Sequence, residues 1–147
     1  MENTDVQMKY DEVVTLHNFI SSIPKHYSDN KVRLDVSALM FLQRNKQILK
    51  PCFETITTVI KELQNNLQLN LSKLETTTVQ VIENQKKQEE DKYREEVSKA
   101  LIDICHVQLE QMTEDNFKKQ LKEITTMPNV FVFLDFLVKQ EINVIKT

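Results

Sequence analysis

The chain has 147 residues, a formal net charge of −3 and no glycine. Its length suits one domain with a real core, or a small bundle carrying an extension. The missing glycine excludes, in their usual forms, the P-loop, the dinucleotide-binding turn and the nucleophile elbow, because each needs a residue without a side chain where the backbone meets its ligand.

Tight hairpins need glycine or asparagine at positive backbone angles, so a multi-strand meander is also disfavoured. Charge is spread along the chain without a basic stripe to capture phosphates, and no nucleic-acid partner is expected. The opening stretch MENTDVQMKYDE is acidic and lacks an apolar signal region. The longest apolar run, VFVFLDFLV at 130–138, is too short to be a transmembrane segment. Cys52 and Cys105 fit reduced thiols better than a disulfide framework. These features predict a cytoplasmic or nuclear protein.

Tyr10, Val13, Val14, His17 and Ile20 recur at helical spacing, and Asp5, Asp11 and Glu12 suit the N-terminal half of a helix. A first helix is therefore expected over residues 5–22, closed by Pro24, with a loop at 24–30. A second helix should run from Val32 to Lys50, and Pro51 should kink the chain or begin a new helix. Residues 1–50 thus read as an N-terminal helical pair.

From Phe53 onward a heptad count becomes informative. Position a carries Phe53, Ile60, Leu67, Leu74 and Val81; position d carries Ile56, Leu63, Asn70, Thr77 and Asn84. Leu67, Leu69 and Leu71 also alternate with polar residues as a strand would, but the helix accounts for more positions. The polar run at 83–96 is rich in helix formers. Beyond it the same phase places Ile102 and Leu109 at a, with Cys105 and Met112 at d. Two readings follow for 51–112: one continuous helix over 52–112, ~90 Å long, or a helical hairpin turning within 84–95. Residues 97–112 carry a broad apolar arc, as a helix packed on several neighbours would.

Thr113, followed by Glu114 and Asp115, predicts an N-cap for a helix that turns Phe117, Leu121 and Ile124 inward. Pro128 should break that helix, and Asn129 should cap a last one from Val130 to Ile145, with Phe131, Leu134, Val138, Ile142 and Ile145 as its stripe. The fold class expected is all-α: a helical bundle with a long coiled-coil-like helix or helical hairpin. The C-terminal helices at 113–147 pack on that bundle, and the chain forms one cooperative domain with an extension.

Catalytic chemistry finds little support. His17 lies on an apolar stripe, and His26 has no nucleophile nearby. Cys105 and His106 are helical neighbours about 100° apart in this reading, so they do not converge on one ion. Paired carboxylates such as Glu89-Glu90 and Glu95-Glu96 sit in polar runs, not in a partly apolar pocket. No enzyme activity, cofactor, metal or small-molecule substrate is expected. No helix joins a basic face to a strongly apolar one, which disfavours a membrane-surface binder.

The reading is a non-enzymatic scaffolding subunit of an elongated, hetero-oligomeric helical complex. Its partners are other helical subunits, held at Phe53, Ile56, Ile60, Leu63, Leu67, Asn70, Leu74 and Val81. Asn70 at a core position can set register and partner number, although the edge of a bundle would also accommodate it. The alternative is a compact adaptor or inhibitor that binds a partner peptide or helix in a groove.

Overall fold

Residues 3–74 and 79–139 are described by the computed structural model. Asn3–Lys9 forms a strand, β1, in which Thr4, Val6 and Met8 are the less exposed residues and Met8 is fully buried. Its antiparallel partner is a second strand, β2, Ile104–Glu110, in register from Asn3↔Glu110 to Lys9↔Ile104. Cys105, Val107 and Leu109 point into the core, while Ile104, His106 and Gln108 face outward. Three helices separate the strands in sequence, so this sheet needs no hairpin turn and tolerates the absence of glycine.

The first helix, α1, covers Tyr10–Asp29 and buries Val13, Leu16, Phe19, Ile20, Ile23 and Tyr27 on one face. The helix expected from residue 5 is preceded by a strand, because residues 3–9 alternate inward and outward. The loop expected at 24–30 is helical almost throughout. Pro24 sits on the exposed side of the helix, while Ile23 and Tyr27 hold its last turns on the core. At the opposite end the Lys9 N–H donates to Glu12 Oε1 at 2.9 Å, satisfying a donor that the helix start leaves free.

The second helix, α2, Val36–Ser72, runs 37 residues and passes through Pro51 without interruption. Pro51 is exposed, whereas Leu49 and Ile56 on either side of it are buried, so packing outweighs the lost backbone bond. The third helix, α3, spans Val79–Ile102 and lies antiparallel along the outer half of α2. The hairpin reading therefore holds and the continuous helix does not. The reversal falls before Val79, not within 84–95, and the polar run at 83–96 is helical as its composition predicts. Thr77 lies outside the described residues.

The helix expected to reach 112 stops at Ile102. Asp103 diverts the chain: its N–H donates to Ala100 O, its carboxylate accepts from the Ile104 N–H at 2.9 Å, and its carbonyl accepts from the Tyr10 N–H at 3.0 Å. The in-phase Ile102, Cys105, Leu109 and Met112 thus share no helical stripe, and Ile102 is exposed.

Helix α4, Glu114–Gln120, begins at Thr113, whose Oγ1 accepts from the Asn116 N–H at 3.2 Å as the sequence predicts. A 3₁₀ turn, Lys122–Thr126, and helix α5, Val130–Leu137, follow. Phe117, Leu121 and Ile124 are buried, also as expected. Helix α5 is shorter than predicted, because Val138 leaves it to bridge Met112. The Met112 N–H donates to Leu137 O at 2.9 Å, and Lys139 N–H to Met112 O at 2.8 Å. Its buried face is Val132, Phe133 and Leu137, while Phe131 is exposed. Ile142 and Ile145 lie outside the described residues. Asn129 precedes the helix at φ 66°, a left-handed position that asparagine tolerates.

Over its described residues the protein is thus a mostly α-helical bundle with one small two-stranded sheet. Its core joins the inner faces of α1, the first half of α2, β1, β2, α4 and α5. Each fully buried apolar side chain in it contributes about 1.5–3 kcal/mol. On α2 the last buried residue is Ile56, and no described residue of α3 is fully buried. The outer part of α2 and α3 therefore form a two-helix arm extending from a packed head. Beyond Ile56, α2 extends roughly 25 Å at 1.5 Å per residue. No helix among the described residues is long and apolar enough to cross a membrane.

Candidate partner interface

The eight predicted interface residues divide between head and arm. Phe53 and Ile56 belong to the head. The Phe53 ring stacks on His17, with centroids 3.8 Å apart, and Ile56 is buried. Ile60, Leu63, Leu67, Asn70 and Leu74 run along the arm and are all only partly buried. Val81, on α3, is exposed. Leu69, off the stripe, is exposed as well.

The opposite wall of the arm explains why burial stays incomplete. Helix α3 turns Ile82, Gln85, Glu89, Tyr93, Glu96 and Ala100 toward the inner side, a series dominated by polar groups. Leu63, Asn66, Leu67 and Asn70 face Glu89, Lys92, Tyr93 and Glu96 across an open cleft of ≈ 320 Å³. Asn70 Nδ2 donates to Glu89 Oε2 at 3.1 Å and is the cleft's cross-helix polar link. Gln85 Oε1 is buried without a hydrogen-bond partner. Leucines on one helix and carboxylates on the other cannot zip into a dry seam, because burying an unpaired charge costs far more than burying a methylene gains.

The outward face of α3 carries ion pairs along the helix. Arg94 contacts Glu90 and Asp91 at 3.9 and 3.3 Å, and Lys99 contacts Glu95 at 3.2 Å. Exposed pairs of this spacing each add a few tenths of a kcal/mol to helix stability, about 0.3–0.5. Helix α3 is therefore supported by local charge pairing, while the core contributes little to it. Ile82, Glu89 and Glu96 share a heptad spacing, a sequence signal for this inner face that hydrophobicity alone does not reveal.

The histidines and Cys105 hold separate places in the head. His26 Nε2 lies 3.0 Å from Glu123 O, tying α1 to the 3₁₀ turn. His106 is exposed on β2, and Cys105 is buried in the core. No group of three or more His, Cys, Asp or Glu among the described residues is placed to hold a metal ion. A second surface feature lies between α1 and α5, where Thr15 joins two clefts. Asp11, Glu12 and Asp135 rim one of them beside the exposed Phe131, and Val14, Phe19 and Met127 line the other. Comparison of the chain with protein families, curated proteins and solved structures finds no match.

Proposed function

We propose that this chain is a non-enzymatic scaffolding subunit of a hetero-oligomeric helical complex, and that its arm receives a helix from a partner subunit. The observation that carries this reading is the half-buried row Ile60, Leu63, Leu67 and Leu74. It continues the apolar stripe of α2 past the head, yet meets the polar inner side of α3. A third helix laid along the cleft would bury those leucines and leave Glu89 and Glu96 at a polar rim, the usual layout of a helix-in-groove contact. Asn70, already engaged by Glu89, would favour partners with a polar group at that level. Cytoplasm or nucleus suits such an assembly subunit.

The test is quantitative affinity purification from the native cell, comparing wild type with the double variant Leu63→Glu/Leu67→Glu. Partners that copurify stoichiometrically with wild type should fall at least tenfold with the variant, while its head keeps cooperative thermal unfolding. Unchanged recovery would sink the arm as the docking site. The cleft between α1 and α5, with exposed Phe131 beside three carboxylates, favours the compact-adaptor reading. Loss of partners with Phe131→Ala, but not with the arm variant, would select it.

A further inference from the structure

The two walls of the arm cleft differ in charge. On α2, the stretch LQNNLQLNLS from Leu63 to Ser72 carries no charged side chain. It offers Leu63 and Leu67 to the cleft, with the amides of Asn66 and Asn70 beside them. On α3 the same cleft is lined by Glu89, Lys92 and Glu96, an anion, a cation and a second anion at one-turn spacings. That series covers one heptad, roughly 10 Å of helix at 1.5 Å per residue. The charges on the outward face of α3 hold one another: Arg94 reaches Glu90 and Asp91, and Lys99 reaches Glu95. Lys92 and Glu96 stand one turn apart on the cleft, yet neither forms an ion pair with any described residue. Glu89 accepts from a neutral amide, Asn70 Nδ2 at 3.1 Å, which leaves its charge uncompensated. Three charges without an ion-pair partner thus border the space in which a docked helix would lie.

We propose that the helix received by the arm is charged along one flank only, with a cation, an anion and a second cation spaced to meet Glu89, Lys92 and Glu96. Its other flank, which meets α2, carries uncharged polar groups able to bond Asn66 and Asn70. The apolar stripe between the flanks covers Leu63 and Leu67. This rests on the reading that the arm docks a helix, and adds which helix it selects.

Flank charges beside an apolar seam fix partner and register more than they add affinity. A slide of one turn along α3 would set the partner's cation against Lys92 and its anion against Glu96. Two attractive contacts then become repulsive, so one register is kept. The neutral wall of α2 applies the opposite filter. A charge on that flank would meet leucines and amides, with no counter-ion across the seam.

The experiment compares three forms of the full chain in affinity purification from the native cell: wild type, Leu63→Glu/Leu67→Glu, and the charge swap Lys92→Glu/Glu96→Lys. The swap keeps the net charge and the leucine row. It also sets glutamate before lysine at i,i+4, the favourable order, so α3 is not weakened. Partners lost with the leucine variant should fall about tenfold with the swap at about 0.1 M salt, and about twofold at about 0.5 M, where screening shortens the reach of the flank charges. Carbodiimide coupling of the wild-type complex should join Lys92 to a partner aspartate or glutamate that has lysine or arginine three or four residues to each side. Loss with the leucine variant but full recovery with the swap would overturn the charged flank and leave the docking reading standing. Unchanged recovery with the leucine variant would remove both. An uncoupled Lys92, or a coupled acid without flanking cations, would likewise overturn the proposal.

Discussion

His17 on α1 and Phe53 on α2 stack with centroids 3.8 Å apart and ring planes 13° from parallel. The pair ties the middle of α1 to the point on α2 where the head gives way to the arm. His17 Nδ1 is buried without a hydrogen-bond partner. Burial first, and the nearby Lys46 second, hold the imidazole below its usual range, with Asn18 acting in the opposite sense.

A depressed histidine makes stability depend on pH in a defined direction. The unfolded chain protonates His17 near pH 6.5, and the folded chain does so only at lower pH. Between those values the unfolded state holds more protons, so stability falls as pH drops below about 6.5 and is unaffected by this group above it. Urea unfolding at pH 7.5 and 5.5 should show the loss in wild type. His17→Phe, which keeps the stack, should show a smaller difference; an equal one would remove His17 as the cause.

Asn45 is fully buried in α2, with its side chain bonded to Phe41 O, Glu110 O and Glu110 N–H. Asn45→Ala leaves the Glu110 N–H and carbonyl, part-buried at the end of β2, without their side-chain partner. A loss of about 2–4 kcal/mol in a denaturant titration is expected, with m unchanged. A loss under 0.5 kcal/mol would mean that water replaces the amide without penalty.

Head and arm should respond differently to truncation. Phe133→Ala, at a fully buried site, should cost about 3–5 kcal/mol, whereas Leu67→Ala, half-buried on the arm, should cost about 1 kcal/mol. Amide exchange should rank the same way, with α3 exchanging faster than α1, because no described residue of α3 is fully buried. Equal protection of both helices would contradict the division into head and arm.

Asn70→Leu extends the leucine row of the arm and frees Glu89, which remains within reach of water. Higher thermal stability, or a change in oligomer number by light scattering, is the expected result. If neither changes, Asn70 contributes nothing to the seam.

Much of the helical content is legible in sequence because helices leave a local record. The Thr113 cap and the inward Phe117, Leu121 and Ile124 needed only spacing to be found. The strands were hidden for a physical reason. Ile104 to Glu110 alternates outward and inward, but it follows α3 closely enough that two periods merge into one broad apolar arc. Leu67, Leu69 and Leu71 show the reverse error waiting to happen: a period of two inside a helix. What separates them is the partner strand, β1, which lies about a hundred residues away in the sequence and leaves no trace near β2. Pro24 and Pro51 mislead in the same way. Whether Pro24 or Pro51 stops a helix depends on which side meets the core, and that is a tertiary fact. At the candidate interface the leucine row is legible from hydrophobicity, whereas the polar wall of α3 shows only in the heptad spacing of Ile82, Glu89 and Glu96, which looks like any solvated helix face.

The register Asn3↔Glu110 has a consequence for how the protein is made. During synthesis β1 and α1 leave the ribosome first, yet the strand that completes their sheet follows only after the whole arm. The arm, built from neighbours in sequence, can pair its two helices early, since local contacts cost the least loop entropy. The head must wait, with Met8 uncovered and the apolar face of α1 covered only in part, by α2, until residues 104–110 arrive. An arm folded early brings the two halves of the head within reach of each other. Its length is then a folding parameter, and shortening it by whole heptads should change the rate at which the head closes more than the stability it finally reaches.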